Sequence, residues 1–515
     1  MMHGRALPRS RLEQEVLPAL LPAQRWFADK GRPIALVRLA DAAAIERDEL
    51  QAYYATIEVE LATNRFETSG ASAVRTYFFP MWSDEPDDRG ERSFGDALAN
   101  DAFALALLDD VRRAARRRGE RGLFVAEPTK PLGSLELSAQ PRVRRPNVEQ
   151  SNSSVVIDEQ IMLKAYRLLQ TGPQPELEIA RFLDAAGFRH TPALLGWIDY
   201  VDTAGDSTAL CILQRFVKNQ GDGWSAVLAF LERSFVQRGT GTAIAEGAAG
   251  ARSDDLAHFL ERMQTLGART AELHRALATP SGDPAFEPEA VTQSDLEAWY
   301  ERARSTARSG LDSLDRQLEA APLELHTAAR GLLGRRHEAL ARLETPSLGS
   351  LELCKTRYHG DFHLGQVLLV GHDFAIVDFE GEPARALSVR RDKSSPLRDV
   401  AGMVRSIDYA ALSALRTPSA AGRDDAPSLR AMARDWQQQA SRAFLDGYRA
   451  TIGSCISYPS DPLWGRRLLD LFVLEKAFYE LSYELAHRPA WLGIPIEGIT
   501  SLLDGEQSTD DVPAG

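Results

Sequence analysis

Cysteine is scarce in this sequence. Cys211, Cys354 and Cys455 are the only three in 515 residues, too few for a disulfide framework and too far apart for a metal-binding pair. A reducing cytoplasm suits such a chain. No apolar run approaches the roughly 20 residues that a membrane-spanning helix needs, and the Ala-Leu stretch near Phe103 stops at Asp109-Asp110. The start, Met1-Met2-His3-Gly4-Arg5, leads into no apolar signal core. Positive charge is also short. Lys and Arg number 60 against 73 Asp and Glu, a formal net charge of −13, so neither nucleic acid nor an anionic membrane is an expected partner.

What is present describes a large globular chain. Hydrophobic residues make up 44% and charged residues 26%, enough apolar material for two to four folding units at this length. Leu12, Val16, Leu17 and Leu20 are spaced for a helix that ends before Pro22. Ile34 to Leu39, Gln51 to Leu61 and Thr76 to Trp82 read as strands, residues 83–92 as a loop, and Phe94 to Arg118 as a helix. The basic run Arg112, Arg113, Arg116, Arg117 and Arg118 reads as the solvated C-terminal face of that helix. From about residue 150, strands at Ser153–Ile157, Gln160–Tyr166 and Ala209–Val217 enclose a helix from Glu176 to Ala186. Residues 234–253, rich in Gly, Ala, Thr and Ser, read as a mobile loop. Helices follow at about 255–277, 293–318, 322–343, 397–415, 427–450 and 464–486, interrupted by a strand pair at 366–371 and 373–378. The polar tail after Leu503 is expected to fray.

The strongest chemical signal is Tyr358-His359-Gly360-Asp361-Phe362-His363-Leu364-Gly365-Gln366, followed across an apolar hairpin by Val377-Asp378-Phe379-Glu380. Phosphoryl transfer needs a carboxylate to orient the attacking hydroxyl, oxygen ligands for Mg²⁺, and an amine for the phosphates. Gln366 stands five residues after Asp361, the offset of the metal-binding amide in a kinase catalytic loop, and Asp378 stands where the second metal-binding Asp belongs. The amine candidate is Lys164, set among apolar strand residues where a lone charge is costly. Glu178 is its expected helix partner and Glu176 the alternative. A Gly-rich phosphate loop is missing. Ser151, Asn152, Ser153 and Ser154 stand in its place, able to hold a turn and to offer hydroxyls to phosphate. Leu213 to Val217, with Gln214 and Phe216, offers a hinge whose backbone could read adenine.

Several segments together resemble bacterial maltokinases. They are Gln24-Arg25-Trp26-Phe27, Tyr358–Leu369, Val377–Arg385, Ser395–Ser406, Lys476–Glu484, and Arg488-Pro489 with Trp491, so the likeness runs from about residue 20 to 500. It implies an α+β, bilobal protein-kinase-like fold related to aminoglycoside phosphotransferases. Its parts would be an N-terminal cap subdomain at 1–95, an intermediate subdomain and small β-rich N-lobe binding ATP at 96–218, and a large helical C-lobe at 219–515 carrying the catalytic loop and sugar site. The implied activity is ATP- and Mg²⁺-dependent phosphorylation of maltose at its anomeric hydroxyl. The product, maltose 1-phosphate, would feed glycogen-like α-glucan synthesis, with a trehalose synthase-type enzyme as an associate. Asp361 would be the catalytic base, Gln366 and Asp378 the Mg²⁺ ligands, and Lys164 the ATP-phosphate contact fixed by Glu178. His359 would brace the loop. Glu380, where protein kinases carry Gly, would anchor the loop through Arg398 or Arg405, and Asp399 would be a buried anchor.

Sugar binding calls for aromatic faces and paired polar groups. Lys476, Glu480 and Glu484 share one helix face, and Tyr479 and Tyr483 a neighbouring one. With Trp491, His363 and Glu380 they form the expected acceptor set. An ordinary amphipathic helix laced with ion pairs is the competing reading of that stretch. Glucosamine kinases share the Asp-Phe-Glu-Gly-Glu-Pro type of motif, and Glu480 and Glu484 could meet an amino group. A nucleotide-binding partner of a glucan-synthesis enzyme, without turnover, is the alternative of another class.

Overall fold

The computed structural model describes residues 7–47, 50–62, 74–84, 92–146, 152–239, 246–349, 351–383, 385–417 and 425–505. The chain divides into two compact units. One comprises Met1–Asp184 and Pro192–Lys218, the other Ala185–Thr191 and Asn219–Gly515. The first is rich in strand and the second is mainly helical.

Among the described residues, thirteen strands in two sheets build the first unit. Strand β1 (Ile34–Arg47) pairs antiparallel with β2 (Leu50–Leu61), and the first sheet continues through β3 (Val74–Phe78), β4 (Met81–Ser83), β5 (Phe94–Asp96) and β11 (Leu168–Leu169). Both faces of β2 are covered. Ile57, Val59 and Leu61 join Leu12, Leu17 and Leu21 of the N-terminal helical segment in one core, whereas Tyr54 packs with Phe103 and Leu107 of the Asp101–Arg112 helix in another. The second sheet runs β6 (Arg116–Arg118), β7 (Gly122–Pro128), β12 (Leu194–Asp202), β13 (Ser207–Arg215), β10 (Ile161–Tyr166), β9 (Asn152–Ile157) and β8 (Val143–Arg144). Trp26 and Phe27 of the early aromatic motif are buried against Tyr77 and Phe79. The Arg167 guanidinium lies 4.4 Å over the Trp26 ring and pairs with Asp96.

Several sequence expectations need correction in this unit. The expected strand Thr76–Trp82 is two strands, broken at Phe79-Pro80. Phe94–Arg118 is not one helix, because Asn100 caps a helix that begins at Asp101 and Ala114 takes a left-handed turn at φ 49°. Arg116–Arg118 is then a strand, and Arg117 is no solvated charge: its guanidinium grips both oxygens of buried Asp110, which also accepts from the Tyr54 hydroxyl. Strands β7 and β12 were not foreseen. The proposed loop at 83–92 falls largely outside the described residues.

In the second unit the helices Gln293–Gln317, Leu397–Ala414, Ala426–Ile452 and Pro462–His487 appear close to their expected spans. The stretch 322–343 is instead broken into Leu323–Leu325, His326–Gly334 and Arg336–Ala341. The supposed loop at 234–253 is mostly helical, with Gly223–Gly239 on one side and Glu246–Leu277 on the other, and residues 240–245 lie outside the described ones. Alanine there supports helix better than the Gly and Ser content suggested. The end of the chain is helical to Asp504, and 506–515 are not described. The Glu246–Leu277 and Ala426–Ile452 helices meet at glycine notches. A Cβ on Gly267 would lie 2.0 Å from the Phe444 carbonyl oxygen, and one on Gly447 2.0 Å from that of Gln264. Among the described residues, no helix is long and apolar enough to cross a membrane.

Candidate active site

The side chains singled out by the sequence fall into two sets, one in each unit. In the first, β10 places Lys164 between Leu163 and Ala165, where it is 7% exposed. Its Nζ lies 2.9 Å from Glu176 Oε2, which also accepts from the Tyr166 hydroxyl at 3.0 Å. The observed ion-pair partner is therefore Glu176, the alternative, rather than the favoured Glu178. Helix geometry explains the choice: positions two apart on Pro175–Ala185 point about 200° apart, so only one can face the strand. Glu176 is buried there and Glu178 only partly so.

Register places Ser154 opposite Lys164 and Ser153 opposite Ala165. The Ser153 Oγ accepts from Arg167 Nε at 2.7 Å, so this hydroxyl already holds a cation. Ser151 lies outside the described residues. Gln214 is buried in β13 opposite Met162 and Leu194. Phe216 follows that strand, its N–H donating to the Gln160 carbonyl at 2.8 Å and its ring under the Arg144 guanidinium.

In the second unit the loop around Asp361 is tied down from below. Both oxygens of buried Asp399 are engaged, Oδ2 by the His359 N–H at 2.7 Å and Oδ1 by the Gly360 N–H at 3.0 Å. His274 Nε2 approaches the same Oδ2 at 3.1 Å, and its Nδ1 meets the Tyr448 hydroxyl at 3.0 Å. His359 Nε2 donates to the Val377 carbonyl at 2.9 Å, so this ring braces the loop against the strand that leads to Asp378. Gly402 lets the Leu397–Ala414 helix come close: a Cβ there would stand 2.5 Å from the Phe362 carbonyl oxygen. Asp378 itself sits at φ 66°, a left-handed conformation that Asp tolerates better than most residues.

Gln366 Nε2 donates to Asp378 Oδ2 at 3.1 Å. The amide's remaining oxygen and the carboxylate are hard donors side by side, a pair that suits Mg²⁺. Asp361 Oδ1 lies 3.6 Å from Lys476 Nζ, which also stands 3.7 Å from Glu382 Oε1. Burial pulls the Lys476 pKa down, but Asp361, Glu382 and Glu480 more than offset it and hold the ammonium above its usual range. His363 Nε2 is 4.0 Å from Asp361 Oδ2. Burial pushes this imidazole below its ordinary value, with Asp361 opposing.

Asp361 opens into a cavity of about 290 Å³, whose wall includes Lys476, Tyr479, Glu382, Arg385, Arg302 and Glu475. Of the expected acceptor set, Lys476 and Tyr479 line it. Glu480 does not line it and turns its Oε2 to buried Arg405 at 2.6 Å. Glu484, Tyr483 and Trp491 form a separate cluster. Glu484 Oε1 accepts from the Tyr409 hydroxyl and Arg488, both at 2.6 Å, Trp491 stacks on Tyr409, and Tyr483 stacks on His487. Glu380 is held by Arg390, which donates to its carbonyl at 3.0 Å, whereas Arg398 and Arg405 serve Glu475 and Glu480. Sequence reasoning missed Glu382, Arg385, Arg302 and Glu475. The i,i+3 pair Glu382–Arg385 was a visible signal, but Arg302 lies mid-helix with no local one.

Residues 20–100 match the maltokinase N-terminal cap domain. The chain is 29% identical over 360 residues to the glucosamine kinase of Streptacidiphilus jiangxiensis, covering 69% of this chain and 72% of that protein. It is 26% identical over 373 residues to the glucosamine kinase of Mycolicibacterium smegmatis, covering 72% and 82%. Its fold is that of a glucosamine kinase solved in complex with glucosamine, ADP and inorganic phosphate (TM-score 0.64, 22% identity, 97% of this chain and 99% of that one). A second crystal form of glucosamine kinase agrees, with a TM-score of 0.65 at 24% identity over 95% and 99%.

Proposed function

We propose that the chain is an ATP-dependent sugar kinase whose acceptor is maltose, phosphorylated at the anomeric hydroxyl. The observation that carries this reading is Asp361 held at the mouth of a polar cavity by a loop fixed through Asp399. An acceptor hydroxyl in that cavity donates its hydrogen bond to the Asp361 carboxylate. Its oxygen forms the new bond to the γ-phosphorus, the bond from that phosphorus to the bridging β–γ oxygen breaks, and the proton passes to Asp361. ADP leaves with the electron pair. Lys164, kept in place by Glu176, is the assigned phosphate contact. Ser153, Ser154, Gln214 and Phe216 complete the nucleotide set. Gln366 and Asp378 would hold Mg²⁺, which when bound neutralises charge on the transferring phosphoryl group.

A neutral acceptor is favoured by the cavity's charges. Glu382 is paired with Arg385 and Glu475 with Arg398, so an incoming ammonium finds cations beside both carboxylates. The cap-domain match points the same way. The product would feed α-glucan synthesis in a reducing cytoplasm, beside a trehalose synthase-type enzyme; all three thiols are free. Glucosamine as acceptor is the second reading, supported by the names of the relatives. ATP consumption measured with maltose and with glucosamine decides: turnover of maltose, lost in Asp361→Asn, is expected, and turnover of glucosamine alone would overturn the maltose assignment.

A further inference from the structure

The Asp361 cavity holds two cationic groups that the proposed transfer does not use. Arg302 projects from the Gln293–Gln317 helix into its wall. Among the described residues its half-buried guanidinium makes no hydrogen bond or ion pair. Arg398 lines the same cavity. Its Nη1 is 2.9 Å from Glu475 and its Nε donates to Ser394 Oγ, but its buried Nη2 has no partner. Cations outnumber carboxylates on this wall by five to four. Burial and the neighbouring Arg398 both depress the Arg302 pKa, a like-charge conflict that Glu475 only partly relieves. A buried guanidinium N–H without an acceptor, as at Arg398 Nη2, is costly, and the forked guanidinium geometry matches a tetrahedral or planar oxyanion.

We propose that Arg302 and Arg398 form an oxyanion subsite in this cavity that takes a phosphate monoester carried on a sugar. The proposal needs binding only, so it stands apart from the kinase reading that shares its cavity. Two sources fit the chemistry: the phosphate of a newly made sugar phosphate, or that of an incoming sugar already phosphorylated elsewhere.

The test uses the full chain without nucleotide and inorganic phosphate as probe, followed by titration calorimetry. Phosphate binding is expected in the unmodified protein, weakened at least tenfold in Arg302→Met and less in Arg302→Lys. A saturating non-hydrolysable ATP analogue should leave the Arg302-dependent phosphate binding in place, which separates this site from any nucleotide-phosphate contact. Melting curves of both Arg302 variants guard against misfolding. Maltose 1-phosphate and glucose 6-phosphate distinguish the sources, since the tighter binder names the carrier. Absence of phosphate binding in the unmodified protein, or equal binding in Arg302→Met, would overturn the subsite. Persistence of phosphate binding in a protein that phosphorylates no sugar would leave it standing while the kinase reading fell.

Discussion

Lys164 and Asp361 are each met by an opposite charge, under different conditions. The Lys164–Glu176 contact is 2.9 Å long, with side chains 8% and 2% exposed. The Asp361–Lys476 contact is 3.6 Å long, with side chains 24% and 27% exposed. The first is a short, dry pair in which neither partner can be lost without stranding a buried charge. The second is longer and more open to solvent, so either partner can be removed at less cost. On the proposed reading, the group that holds one position is packed away, and the group that exchanges partners with a ligand lines a cavity.

The comparison can be broken most sharply at Asp361. Asp361→Asn should lower kcat by roughly 10³-fold, the range of general-base catalysis, with an unchanged melting temperature. A variant within tenfold of the original would show that the loose pair is only a surface contact. Next comes Glu176→Ala, which should cost about 3–5 kcal/mol in denaturant unfolding because it strands the Lys164 ammonium. Glu178→Ala should cost clearly less, and equal losses would undo the assignment of the partner. Lys476→Met should raise the acceptor KM several-fold and leave the KM for ATP unchanged, because Lys476 lines the cavity beside Asp361. A larger effect on ATP than on acceptor would contradict the role of the loose pair.

Smaller effects sharpen the boundary of the cavity. Tyr483→Ala should alter sugar turnover by no more than about twofold, as for a surface side chain away from the chemistry, whereas Tyr479→Ala should raise acceptor KM by much more. The smallest effect belongs to His363. Its folded pKa lies below its unfolded value, so the unfolded chain takes up the proton first as pH falls. The neutral ring's contribution is complete above about pH 6.5 and is lost as pH drops below that value. His363→Asn should therefore flatten the fall of melting temperature between pH 7 and 5, and identical slopes would show that the ring titrates alike in both states.

The motif residues show which parts of this were legible from sequence. Asp361, Gln366 and Asp378 lie within one hairpin's reach, so their spacing alone brought Gln366 to 3.1 Å from Asp378. Lys164 announced itself as a charge in an apolar strand. The identity of its partner did not, because sequence shows that Glu176 and Glu178 share a helix but not which face meets the sheet. The acceptor wall was harder still. Lys476, Glu480 and Glu484 do share a helix face, yet buried Arg405 claims Glu480, and Tyr409 with Arg488 claims Glu484. Their competitors come from distant stretches of chain, and no periodicity reports them. Arg116–Arg118 failed for a related reason: a local preference for helix yielded to pairing with β7.

The glycine notches at Gly267 and Gly447 give the active loop a remote point of failure. Gly267 and His274 ride on one rod, about two turns apart, and Tyr448 sits beside Gly447 on the other. A single methyl at either notch would wedge the rods apart, shifting the imidazole and phenol that steady Asp399 from beneath. Gly447→Ala would thus be a one-methyl change that unseats Asp361 without touching it.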